Sequence, residues 1–177
     1  MNTRTARRPF LKRPIILSVL GVVAVAIAVA AFWLEPWKLV VDQTVDEALP
    51  TVSQTDGRPS AEPVVLAAGS FISHEHTTTG SVELLELSDG TRVLRIENLD
   101  TSNGPLLKVF LTDAPVVDGT AGWRVFDDGR YEDLGELKGN IGSSNYVVPA
   151  GVDIDGLTSV SIWCDRFDVS FGAATLG

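Results

Sequence analysis

From Ile15 to Leu34 the chain reads IILSVLGVVAVAIAVAAFWL, twenty consecutive residues without a charge. At a rise of about 1.5 Å per residue, a helix of this length spans about 30 Å, the thickness of a bilayer's hydrocarbon core. Pro14 stands at its start, where a missing N–H costs little. Phe32, Trp33 and Trp37 cluster at the other end, as interfacial aromatics do. From Val64 the pattern changes to short apolar runs broken by turn residues. Ser81 to Leu87 and Arg92 to Glu97 flank Ser88-Asp89-Gly90-Thr91, a strong hairpin signal. Leu106 to Thr112 follows a turn at Asn103-Gly104-Pro105. Trp123 to Phe126 and Tyr131 to Leu137 are expected to pair across Asp127-Asp128-Gly129-Arg130. Asn145 to Val148, Ser159 to Cys164 and Phe167 to Phe171 complete a set of short strands. The pattern predicts an all-β domain, an antiparallel β-sandwich or barrel, preceded by one N-terminal transmembrane helix.

The stretch between these parts reads differently. Thr44-Val45-Asp46-Glu47 is a capping-box pattern that predicts one or two helical turns, ended by Pro50. Thr51 to Pro63 is polar, with two prolines and a glycine, and reads as a flexible tether. The expected organisation is a basic cytoplasmic segment over residues 1–14, a transmembrane helix over 15–34, a juxtamembrane segment and linker over 35–63, and an extracytoplasmic β-rich domain over 64–177.

Charge gives the helix a direction. Residues 1–34 carry five basic residues (Arg4, Arg7, Arg8, Lys12 and Arg13) and no acidic ones. Basic residues before a span keep that end in the cytoplasm, so the C-terminal part is expected on the outer side of the cell membrane. A rival reading exists. Arg7-Arg8-Pro9-Phe10-Leu11-Lys12 is similar to a twin-arginine export motif, and Ala28-Val29-Ala30 could be a cleavage site. Both readings place the domain outside. All 23 acidic residues lie from Glu35 onward, against nine of the 14 basic ones, a net charge of −14 for that part. Nucleic acid needs a basic footprint and is disfavoured as a partner. The lipid partner is met through the helix.

Cys164 is the only cysteine, so no internal disulfide supports the fold. Val160, Ile162 and Cys164 alternate and should share one face of a strand. The phase slips after Cys164, which suggests a bulge, and Trp163, Asp165, Phe167, Val169 and Phe171 would continue the other face. Two readings of Cys164 stand: a redox thiol whose pKa Arg166 lowers and Asp165 opposes, or a buried small hydrophobe. His74-Glu75-His76 on a strand would put both rings on one face, which suits a metal only if further ligands join them. Without such ligands the pair reads as a polar edge or loop, and no metal site is assigned. Asp153-Ile154-Asp155-Gly156 lacks the remaining ligands of a calcium loop and reads as a turn. There is no Ser-His-Asp spacing, phosphate-binding glycine loop or nucleophile elbow, which leaves a stand-alone enzyme with little support. No pattern identifies a cofactor.

Several motifs are spread along the domain. They are Gly69-Ser70-Phe71; His76 with Gly80; Thr101-Ser102-Asn103-Gly104-Pro105-Leu106 leading to Val109-Phe110-Leu111; Leu134 to Gly142; Asn145 to Pro149; and Ser159 to Phe167 with Val169, Phe171, Gly172 and Ala173. Together they resemble the DM-thirteen domain family, the electron-transfer DM domains. Trp37 to Pro50 is similar to the juxtamembrane stretch of membrane-anchored actinobacterial members. The resemblance implies a β-rich fold and a proposed redox role for the family's single cysteine, which Cys164 matches. Some members occur beside haem-binding DOMON domains. This chain has none, so the resemblance implies a separate redox protein as partner. Two functions therefore remain: an extracytoplasmic electron-transfer domain working through Cys164, or a cell-surface adhesion or ligand-binding module with no redox chemistry. The redox reading expects Cys164 to be reactive in the folded domain, and a thiol that reacts only after unfolding counts against it.

Overall fold

A computed structural model describes residues 12–51 and 62–177. The chain divides into two compact units, Met1–Pro36 and Trp37–Gly177. In the first, α1 (Lys12–Leu34) is a single helix whose stretch Ile15–Leu34 has a mean hydropathy of 2.9. It is long and apolar enough to cross a membrane, and a signal sequence has the same character. The helix ends where Glu35 adopts a left-handed φ of 45°, its N–H bonded to the Ala31 carbonyl at 3.0 Å, just ahead of Pro36.

The second unit is a nine-stranded sheet. Its strands are β1 (Thr44–Asp46), β2 (Val64–Ser73), β3 (Thr79–Glu86), β4 (Arg92–Asp100), β5 (Leu107–Thr112), β6 (Tyr131–Glu136), β7 (Ile141–Val148), β8 (Ser159–Cys164) and β9 (Val169–Thr175). Their order is β1-β7-β4-β3-β2-β9-β8-β5-β6. All neighbours are antiparallel except β1 and β7, so the sheet is mixed. The all-β expectation holds, in the form of one sheet curled into a half-barrel. β2 makes the curl: Val64 to Ser70 pair with β3, while Phe71 to Ser73 pair with β9. Gly69 sits at this change of partner, and a Cβ there would collide with the Thr175 carbonyl. The curl closes an interior lined by Val82, Leu84, Leu94, Ile96 and Tyr146 from one half and by Val109, Leu111, Val160, Ile162 and Phe171 from the other.

Two of the expected elements do not form. Thr44 to Glu47 form no helical turn. Their backbone is strand β1, because the pairing groups of β7 are more valuable to it than a one-turn helix with a costly nucleus. Glu47 does cap something, but it is the neighbouring strand: its carboxylate accepts from the Asn145 N–H at 2.7 Å and from Lys138 Nζ at 2.8 Å. Trp123 to Phe126 are not a strand either. A short 3₁₀ turn (Gly119–Gly122) and further turns occupy this region, and β6 pairs with β5 instead. Asp113 ties off the start of that pairing: its N–H donates to the Arg130 carbonyl at 3.0 Å, and its carboxylate accepts from the Arg130 N–H at 3.1 Å. Residues 52–61, the greater part of the expected tether, lie outside the described residues.

Candidate functional site

A bulge is present, but before Cys164 and not after it as expected: the β8–β9 register shifts between Ile162 and Trp163, where Phe171 of β9 is the extra residue. Around it, consecutive residues enter opposite sides of the sheet. Val160, Ile162 and Cys164 face the half-barrel interior, as their alternation predicts. Trp163 faces the other side, with Phe110, Phe126, Ala114 and Ala173 under the connection from β5 to β6. Val169 and Phe171 lie on the same side as Cys164, not with Trp163 as expected. The cause is the tight turn through Asp168, with φ of 49°, which brings Val169 directly opposite Cys164.

Cys164 has no exposed surface. Its thiol donates to the Pro105 carbonyl at 3.3 Å. The Asn103-Gly104-Pro105 turn that supplies this carbonyl rests on Phe171, since a Cβ on Gly104 would lie 2.9 Å from the Phe171 ring. Behind it, Thr78 Oγ1 bonds to Thr101 Oγ1 at 2.8 Å and donates to the Phe171 carbonyl at 3.0 Å. The His76 ring packs on Phe171 with centroids 3.9 Å apart. Burial raises the Cys164 pKa, against a weaker opposite pull from the backbone N–H groups of Phe167 and Arg166. Glu75 adds to the rise and Arg166 opposes it. Asp165, expected to be the opposing charge, instead pairs with Lys108 at 3.3 Å.

The two histidines separate. His74-Glu75-His76 is a bend after β2 rather than a strand, so the rings do not share a face. Nδ1 of His74 lies 2.8 Å from Ser170 Oγ, which also accepts from Ser161 Oγ at 3.0 Å. Its Nε2 is buried without a hydrogen bond of good geometry. Burial lowers the His74 pKa, and the Val117 carbonyl and Asp118 carboxylate pull less strongly the other way. Among the described residues no group of three metal-ligating side chains forms. Asp153 and Asp155 do form a turn: the Asp155 N–H bonds to Asp153 Oδ1 at 3.0 Å, and Arg130 donates to both of their carbonyls.

Residues 70–176 match the family model described as electron transfer DM13. The chain belongs to that family. No curated protein and no solved structure matches it. The matched span holds Cys164, the turn over it, and the Thr78, Phe171 and His76 group behind that turn. The DM13 domain is also held by residues that precede the match. Asn140 accepts from the Gln43 N–H at 2.7 Å and donates to Asp42 at 2.9 Å and to the Thr101 carbonyl at 2.8 Å. A Cβ on Gly142, with φ of 107°, would strike the Val45 carbonyl. The buried Arg95 donates to the Glu47 carbonyl at 3.0 Å and to Glu97 at 2.8 Å. Thus the Lys138 to Gly142 stretch, whose Gly139 and Gly142 lie against Gln43 and Val45, is the seat of β1.

Sequence reasoning missed Thr78, Pro105, Ser161, Ser170 and Arg95. Ser161 left one trace, since it alternates with Trp163 on the face opposite Cys164. Thr78, Ser170 and Arg95 are joined to partners far along the chain, and the turn at Pro105 was legible but its carbonyl's role was not.

Proposed function

We propose that this DM13 domain transfers single electrons through Cys164 on the outer side of a membrane in which α1 is its anchor, with a separate redox protein as partner. The observation that carries the reading is the position of the chain's only cysteine within the matched family span, sealed and hydrogen-bonded at the end of β8. The burial sorts thiol chemistries. Disulfide exchange needs an attacking thiolate to reach the sulfur, and neither solvent nor another thiol touches Cys164 in this conformation. Electron transfer needs only proximity through the protein. The five basic residues before the span support that side of the membrane.

The electrochemistry of the full chain in detergent tests this. The wild type should show an oxidation wave that Cys164→Ala lacks. A wave unchanged in the variant, or absent from both proteins, refutes the thiol as the working group.

A second reading has its own support. Full burial and a raised pKa are also what a structural cysteine shows. The domain then serves as an adhesion or ligand-binding module, presenting its acidic surface and loops. Clefts such as that of about 410 Å³ beside Arg130, Val152 and Leu157 are candidate contact points. On this reading Cys164→Ala leaves the cellular phenotype intact while changes in those loops abolish it.

A further inference from the structure

The outer side of the half-barrel carries a continuous stack of rings. Tyr131 opens it at the surface, 45% exposed, on the edge strand β6. Its ring lies 4.7 Å from that of Phe110, nearly parallel at 19°. Phe110 lies 5.8 Å from Trp163 at 22°. Phe110 and Trp163 are 2% and 1% exposed, so the path between them excludes water. The two ends of this stack are the side chains that one-electron chemistry can use, a phenol and an indole. The ring between them is a phenyl, which is not oxidised but couples its neighbours. Trp163 is also the residue before Cys164, so the stack brings the surface to within one residue of the thiol.

Packing alone does not require this order. An apolar layer could be filled by aliphatic side chains, as most of the opposite interior is. A half-exposed tyrosine gains little from burial, yet here it is held in stacking contact with a buried ring.

We propose that Tyr131, Phe110 and Trp163 form a one-electron conduit between the surface and the centre of the domain. This deepens the electron-transfer reading and rests on it, but not on the thiol. The acceptor is a one-electron oxidant docked at Tyr131. The phenol of Tyr131 passes one electron to it and releases its proton to water, leaving a phenoxyl radical. An electron from the Trp163 indole then crosses Phe110 and, with a proton from water, restores the phenol. The indole is left as the radical cation. In sum, the acceptor gains one electron and Trp163 loses one.

Flash photolysis tests the conduit in the full chain in detergent. The exposed Trp33 and Trp37 are first replaced by Phe, and a soluble ruthenium polypyridyl complex with a cobalt(III) quencher is the oxidant. The expected result is a tryptophanyl radical, seen by optical absorption and freeze-quench EPR. It should be lost in Trp163→Phe, where a tyrosyl radical accumulates instead. It should also be lost in Tyr131→Phe, a surface change that spares the core. A tryptophanyl radical that survives Trp163→Phe comes from Trp123 and overturns the proposal. One that forms at the same rate in Tyr131→Phe overturns it too. Cys164→Ala is expected to leave the relay intact. A chain that keeps the relay but fails the electrochemical test of the thiol therefore loses the thiol reading and retains the conduit.

Discussion

Trp163 and Cys164 are neighbours in β8, and they enter two different interiors. Cys164 enters the half-barrel, which the sheet builds by curling on itself and fills mainly with aliphatic side chains. Its thiol donates a weak bond to a turn carbonyl. Trp163 enters a smaller layer roofed by the connection from β5 to β6, built of rings and bordered by the Ser161, Ser170 and His74 chain. Phe126 links the two kinds of group there, with its ring 5.6 Å from His74 and 6.5 Å from Trp163. The difference teaches that one strand can hold two chemically unlike environments a residue apart. Each can be perturbed with little direct effect on the other.

The largest effect belongs to the ring layer. Trp163→Ala should cost about 3–5 kcal/mol of stability, because it empties the layer's largest buried side chain. Urea denaturation measures this, and a loss no larger than that of Cys164→Ala would erase the distinction between the two sides. Next comes the polar border. Ser170→Ala leaves His74 Nδ1 and Ser161 Oγ without their shared partner, at about 1–3 kcal/mol. Cys164→Ala should cost less, about 1 kcal/mol, since it removes one sulfur and one weak hydrogen bond.

The smallest effects are in pH dependence, and they differ in sign. Burial holds His74 neutral in the folded state, with its pKa below 6.5. Below that value the unfolded chain takes up a proton that the folded chain refuses, so stability falls as the pH drops through 6.5. His74→Gln should flatten this acid limb. Burial holds Cys164 protonated, with its pKa above 9.0. Above that value the unfolded chain releases a proton that the folded chain keeps, so stability falls as the pH rises through 9.0. Cys164→Ala should remove the first part of this alkaline limb, leaving the later part due to Tyr146, whose pKa burial also raises, from 10.0. Thermal melts across the pH range read both limbs, and each variant should change only its own.

What could be read from sequence was what is local. The Asp89-Gly90 turn set the β3–β4 hairpin because the strands and the turn lie side by side in the chain. The slip after Cys164 did not place the bulge, which lies between Ile162 and Trp163 and leaves Val169 and Phe171 on the Cys164 side. The apolar run of α1 needed no partner to be recognised. β1 was missed because its pattern favours a helix start, and only β7, far along the chain, makes it a strand. Trp123 to Phe126 looked like a strand because apolar residues alternate there. In the fold, Phe126 fills the ring layer instead, and β6 is already paired with β5. Cys164 stood out by being single, and its likeness to the family cysteine added a candidate role. Its lid, the Pro105 carbonyl, was invisible, since a backbone acceptor has no residue signature.

The sealing of Cys164 separates electron transfer from thiol exchange, and one measurement reads it directly. The native full chain is treated with a bulky maleimide, and labelling of Cys164 is timed against global unfolding. The account predicts that labelling is no faster than unfolding and becomes complete once the chain is denatured. Labelling of the folded chain well ahead of unfolding would contradict it, because the turn at Asn103 to Leu106 would then open and expose the thiol.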